Sequence, residues 1–403
     1  MKTTGATILA LACGWTGVLA RPVTEPKPTV GEIIAKNQTV AQADSEMQAD
    51  TWWKHKGDKK AAKKAGPKSA VQTVNSMNNA NPAPMVQIYP KLSPQDAPYS
   101  LSEQELRSKI YIPKTFSAAS GKQPVILIPG TAAMAGTTYT ANLGPLLAGS
   151  DFGDPLWVNI PEASLGDAQV NSEYVAYAMN YVQSYTGRKA AVVAWSQGNL
   201  NVQWALKYWP STREAVTDLV AMSPDFHGTK EALAVCDTAA RVIGCTPSVY
   251  QQEYKSMFIE KLRAQGGNNA YVPTTSIYSA TDQIVQPQSG PMASAILGDG
   301  NGVPVSNIEI QKACPGTVAG GEVTHEGMLY NAMAFALLRD AVMNDGPGRV
   351  DRINKKVCLD PAAGKLDATE IKATEALLAS AAVNIMRYPV RVKAEPAIKP
   401  YAL

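Results

Sequence analysis

Ala190-Ala191-Val192-Val193-Ala194-Trp195-Ser196-Gln197-Gly198-Asn199-Leu200 is the stretch that decides the fold of this 403-residue chain. It opens as a short, continuous apolar run, the pattern of a strand buried on both faces of a parallel sheet. It then turns abruptly into a helical pattern that continues through Trp204 to Trp209. A serine at such a strand-to-helix turn is held in a strained conformation, and the residues two before and two after it must be small. Ala194 and Gly198 meet that demand, although Ala194 departs from the strict G-x-S-x-G pattern. The competing reading is an ordinary serine capping a helix; partners elsewhere in the chain have to separate the two.

Outward from this turn, strand and helix alternate. Residues 125–128 form another short apolar run that stops at Pro129-Gly130, and residues 156–158 read as a second strand. Asp167 is placed to cap a helix whose Val170, Tyr174, Tyr177, Tyr181 and Tyr185 share one face. Strands are predicted at 219–222 and 275–279, helices at 326–342 and 367–386. The last carries Ile371, Leu378, Ala382 and Ile385 along one side, which suits a helix covering the core or one lining an entrance. Such alternation predicts an α/β class with a mostly parallel sheet flanked by helices.

A serine hydroxyl is a weak nucleophile and needs a base within hydrogen-bond reach. The chain has three histidines. His55 lies in a lysine-rich segment, which leaves His227 and His325. On a sheet of this kind the partners follow the serine in the order acid, then histidine, and His325 comes late, just before a predicted helix. His325 is therefore preferred over His227 as base. For the acid, Asp282 follows the predicted strand at 275–279, where a carboxylate can orient an imidazole. Asp225, in Ser223-Pro224-Asp225, also ends a strand and keeps the order; Asp282 is favoured, with Asp225 as a polar wall residue. An oxyanion needs preorganised N–H donors, and these are expected from the main chain of Gln197, after the serine, and of Thr131, in the loop after the strand at 125–128.

Composition bounds the rest. The chain is 45% hydrophobic and 18% charged, which is globular. Residues 1–20 combine Lys2, a short apolar core and a small-residue end at Val18-Leu19-Ala20, as a secretory signal does. The run is too short and interrupted to span a bilayer, which takes about 20 apolar residues. Residues 21–90 read as a propeptide or disordered arm with little apolar surface, and 91–403 as the folded domain. Residues 1–91 hold 12 Lys/Arg against 6 Asp/Glu, and the remainder 25 against 28. The basic excess sits in the arm without aromatic interleaving, so no nucleic-acid partner is implied. Beyond the signal, Cys236, Cys245, Cys314 and Cys358 allow three pairings; Cys236–Cys245 with Cys314–Cys358 is the simplest in an oxidising compartment. No CxxC metal or redox site is present, and neither metal nor cofactor is expected.

The stretches at 125–131 (VILIPGT), 169–174 (QVNSEY), 195–198 (WSQG), 223–228 (SPDFHG) and 278–287 (YSATDQIVQP), with the histidine loop, resemble the fungal lipase B family. The likeness covers about residues 93–400. It implies an α/β-hydrolase fold and a cofactor-free serine lipase or esterase, with a catalytic triad at Ser196, Asp282 and His325. It also implies oxyanion donors at Thr131 and Gln197, a pocket-side Asp225, and pocket walls at Ile284 and Ile385. Cys314–Cys358 matches a family bridge. Two others are missing, and the lid region at 230–250 differs and gains Cys236 and Cys245. The expected protein is a secreted monomer acting on lipid or other esters, with transient contact at a lipid surface. The rival expectations are a short-chain or polyester carboxylesterase, an inactive hydrolase fold used for binding, and a membrane-anchored protein.

Overall fold

The computed structural model describes residues 73–232, 244–364 and 366–403. The expected signal, the arm as far as residue 72, and Cys236 lie outside these residues. Among the described residues one sheet of seven strands forms: β1 (Ile110–Tyr111), β2 (Gln123–Ile128), β3 (Gly153–Val158), β4 (Ala190–Trp195), β5 (Val216–Met222), β6 (Thr274–Tyr278) and β7 (Val305–Glu309). Their order across the sheet is β1-β3-β2-β4-β5-β6-β7. Only β1 runs antiparallel to its neighbour; every other neighbouring pair is parallel. The mostly parallel α/β sheet expected from the alternation is therefore present.

The continuous apolar runs follow from burial on both faces. Ile126, Ile128, Val192 and Ala194 enter one core cluster, while Val125, Leu127, Val193 and Trp195 enter the other, since successive strand side chains point to opposite faces. The first face is covered by α1 (Ala168–Thr186) and α2 (Gly198–Tyr208). The second is covered by α3 (Ala332–Met343) through Met333, Leu337 and Leu338. Asp167 caps α1 by accepting from Gln169 N–H at 2.9 Å, and the helix ends at Gly187 with φ +67°, the left-handed position glycine favours. The tyrosine face of α1 forms a stack, Tyr177 on Tyr181 and Tyr181 on Tyr185.

Three expectations need correction. Packing begins before residue 91: Val74 and Ile88 are each 1% exposed. The Val74 carbonyl accepts from Trp157 Nε1 at 2.8 Å and Asn159 Nδ2 at 2.9 Å, and Tyr181 donates to the Pro82 carbonyl at 3.0 Å. Buried donors need partners, and residues 73–90 supply them, so this part of the expected arm is part of the folded body. The helix expected from 326 starts instead at Ala332, because Asn331 caps it through Met333 N–H and Ala334 N–H. The last helix is two, α4 (Ala368–Glu375), opened by an Asp367/Glu370 capping box, and α5 (Leu377–Arg387). Strands β1 and β7 escaped the sequence reading. β1 is two residues long, and β7 is an edge strand in which only Ile308 is buried. Cys314 and Cys358 are bridged, and Cys245 is disulfide-bonded. Among the described residues no helix is long and apolar enough to cross a membrane.

Candidate active site

Ser196 follows the last residue of β4 and sits at φ +54°, a left-handed backbone that costs a non-glycine residue about 1–3 kcal/mol. The turn is held by Ser196 N–H donating to the Met222 carbonyl at the end of β5, 3.1 Å. The need for small neighbours is explicit in the packing. A Cβ on Gly198 would lie 2.7 Å from the carbonyl oxygens of Ile128 and Pro129. On Gly130 it would lie 2.9 Å from both Ser196 Cβ and the Trp195 ring. The end of β2 and the start of α2 thus pass too close beside the serine for a side chain at either Gly130 or Gly198.

His325, 1% exposed, is fixed by three strand ends. Its carbonyl accepts from Trp195 Nε1 at 3.1 Å and from Ser223 Oγ at 2.9 Å, and its N–H donates to Gln283 Oε1 at 2.9 Å. Its Nδ1 lies 2.8 Å from Asp282 Oδ2. The other carboxylate oxygen, Oδ1, accepts from Ile284 N–H and Val285 N–H, both at 2.8 Å. Burial on its own would lower the His325 pKa. The Asp282 charge and hydrogen bond, joined by Glu326 and Asp225, outweigh it and hold the imidazole above the ordinary histidine value. His227 stands apart from this arrangement. Its main-chain N–H is bonded to Ser294, and burial, reinforced by the Arg263 charge, pushes its pKa down to about 4.

Asp225 is 1% exposed, and neither carboxylate oxygen has a partner among other described residues. Burial, with repulsion from Asp282 and against attraction from His325, pushes it up to about 7. The carboxyl is therefore protonated in the fold at pH values where the unfolded chain ionises it. A group with a raised folded pKa contributes stability below its unfolded pKa and loses it as pH rises through the folded value, here between about 4 and about 7. The full span corresponds to about 4 kcal/mol for the shift to about 7. Thermal denaturation of Asp225→Asn and wild type at pH 4.5 and pH 8 is expected to show the difference moving against wild type by several degrees at the higher pH. A difference that stays constant would mean that Asp225 does not titrate in that window.

The loop after β2 meets the turn after β4 through an amide network. Thr131 Oγ1 donates to Gln252 Oε1 at 2.7 Å, and Gln252 Nε2 donates to Gln197 Oε1 at 3.0 Å. Gln197 Nε2 in turn donates to the Ser164 carbonyl at 3.1 Å. Next in the loop, Ala132 (φ +57°) is anchored by Asn384 of α5, whose Nδ2 donates to its carbonyl at 2.8 Å. Ile385 packs with Ala132, Leu165, Ala381 and Tyr388. Ile284 is half-buried, and its carbonyl accepts from Thr229 Oγ1 at 2.8 Å.

Ser196, Gln197, Thr131, Asp282, His325 and Asp225 are thus gathered at the carboxyl ends of β2, β4, β5 and β6. Residues unforeseen from sequence are Gln252, Ser223, Gln283 and the Trp195 indole. Ser223, at φ +45° on the strand end after β5, was within reach of the strand-end argument. Gln252 lies 121 residues from Thr131, with no local signal. Among the described residues no group of three or more His, Cys, Asp or Glu side chains is placed to hold a metal ion.

No family model matches the chain. Lipase B of Pseudozyma antarctica is 34% identical over 295 residues, covering 71% of this chain and 81% of that protein. The crystal structure of Aspergillus fumigatus lipase B matches with a TM-score of 0.77 and 49% identity, covering 82% of this chain and 79% of that one.

Proposed function

The chain belongs to the fungal lipase B family of α/β-hydrolases, and from that premise we propose that it is a secreted serine hydrolase that cleaves the carboxylic esters of lipids, as a triacylglycerol lipase does, through an acyl-enzyme. Ser196 Oγ attacks the ester carbonyl. With Nδ1 engaged by Asp282, the Nε2 of His325 is left to take the serine proton and pass it to the departing alcohol. The oxyanion is received by the main-chain N–H groups of Thr131 and Gln197. Water then attacks the acyl-enzyme by the same proton route. The observation that carries the reading is the Asp282–His325 contact at 2.8 Å, on a histidine whose carbonyl is bonded to Trp195, the residue before the nucleophile.

The apolar group of Ile385, Ala132, Leu165, Ala381 and Tyr388 beside the Thr131 loop supports an acyl chain or alcohol of lipid type. Met386, in the last turn of α5, and Val390, just beyond it, are about half exposed and supply apolar surface for brief contact with a lipid interface. The Cys314–Cys358 bridge supports an exported, oxidised protein. The protein acts as a monomer and needs no cofactor. Its rates on p-nitrophenyl butyrate and palmitate test the substrate class. Palmitate hydrolysis of the same order as butyrate supports the lipase, and a butyrate rate more than about 100-fold higher replaces it with the short-chain esterase. No turnover of either, together with no labelling by a fluorophosphonate, gives way to a hydrolase fold used for binding.

A further inference from the structure

Each polar atom of the Gln252 side chain is engaged, and the arrangement admits one amide orientation. Nε2 donates to the Ser248 carbonyl and to Gln197 Oε1, both at 3.0 Å. A backbone carbonyl accepts only, so Nε2 must face Ser248 and Oε1 must face Thr131. The Thr131 hydroxyl is then the donor in the 2.7 Å contact. Gln197 is oriented the same way from its far end, because its Nε2 faces the Ser164 carbonyl at 3.1 Å. The relay is tied down at both ends, at the Thr131 loop by the Asn384 bond to the Ala132 carbonyl at 2.8 Å and at the other end by the Ser164 backbone. Ser164 closes a run of three left-handed residues, Glu162, Ala163 and Ser164 at φ 56°, 51° and 64°, a costly backbone kept only where the surroundings enforce it.

Gln252 itself cannot drift. Its carbonyl accepts from Thr229 N–H at 2.8 Å, and the preceding Gln251 grips the start of α1 through Ala168 N–H and Asp167, both at 2.7 Å. A Cβ on Gly228 would meet the Gln252 carbonyl at 2.7 Å, so the backbone there is packed tight.

We propose that Gln252 is a positioning residue for ester hydrolysis, tying the Thr131 hydroxyl and the Gln197 side chain into one relay that fixes the two oxyanion donors relative to each other. The proposal rests on the reading of Ser196 as nucleophile. The relay acts on a charge that exists only in the transition state, so its loss appears in kcat and not in KM.

The test is a double-mutant cycle of Thr131→Val and Gln252→Leu, with rates normalised by active-site titration with a phosphonate so that misfolded protein is not counted. Gln252→Leu is expected to lower kcat about tenfold with KM within about twofold, and to lower it less than about twofold further in the Thr131→Val background. Gln252→Glu supplies a second readout. Its carboxylate lacks the N–H donors and faces Gln197 Oε1, so its activity relative to wild type falls as pH rises through the new carboxyl's pKa. Equal losses from Gln252→Leu in both backgrounds, or an unchanged kcat, overturn the proposal, as does a pH-independent loss in Gln252→Glu. Ser196→Ala is assayed alongside. If it is active, the underlying reading falls; if it is dead while Gln252→Leu is unimpaired, only this inference does.

Discussion

Replacing Ser196 by alanine is expected to lower ester hydrolysis by about 10⁴–10⁶-fold, the scale on which a serine nucleophile that acts as a unit with its histidine fails. The variant is clean for a structural reason. Ser196 holds φ +54° because the end of β2 and the Met222 carbonyl enforce the turn. Alanine carries the same Cβ and the same left-handed strain, and it leaves the main-chain N–H of Gln197 where it was. Melting temperature should therefore stay within about a degree or two, since neither a cavity nor a new strain is created. Glycine at the same position would behave differently, gaining stability by relieving the strain. The measurement is initial rate on p-nitrophenyl butyrate with enzyme concentration set by absorbance, beside a fluorophosphonate label. Retention of more than about one per cent of wild-type rate, well above the residual that binding and the oxyanion site alone sustain, would remove Ser196 as nucleophile.

The parts of this site that were legible in the sequence are those whose constraint is local. Strand β4 reads as a strand because both its faces are buried, and the turn after it is marked by Gly198, which has no room for a Cβ. The order serine, aspartate, histidine narrows the partners because a parallel sheet presents its strand ends in sequence. What stayed hidden is what depends on approach in three dimensions. Gln252 has a side chain like any other glutamine in the chain, and only the folded positions of Thr131 and Gln197 give it a role. Residues 73–90 read as unstructured because they dock through main-chain carbonyls, the amides of Asn75, Asn79 and Asn81, and two apolar anchors, Val74 and Ile88, and a polar segment rich in asparagine carries no periodic signal of such contacts. Strand β7 was missed for the converse reason, as an edge carries the polar residues that an interior strand excludes.

Asp282→Asn is expected to be the more instructive lesion, with kcat reduced by about 10⁴ at neutral pH. The two main-chain donors decide which way the new amide turns. Ile284 N–H and Val285 N–H both point at the Oδ1 position at 2.8 Å, so the asparagine oxygen must stay there and its NH₂ must face His325 Nδ1. A donor facing Nδ1 makes that nitrogen the acceptor and moves the imidazole proton to Nε2, the atom that has to receive the serine proton. Asp282→Ala leaves the tautomer free, so it should be no more damaging than Asp282→Asn, even though it removes more atoms. The pH profile supplies an independent check. In the wild type His325 sits above the ordinary histidine value because the Asp282 charge, helped by Glu326 and Asp225, overcomes the lowering by burial. With His325 as the proposed base, activity is expected to need the neutral imidazole and so to rise with pH through that raised value. Without the Asp282 charge burial prevails, and the acid limb of the residual kcat/KM should move to lower pH in both variants. An acid limb that does not move, or an alanine variant distinctly worse than the asparagine one, would mean that Asp282 does not orient and stabilise the base.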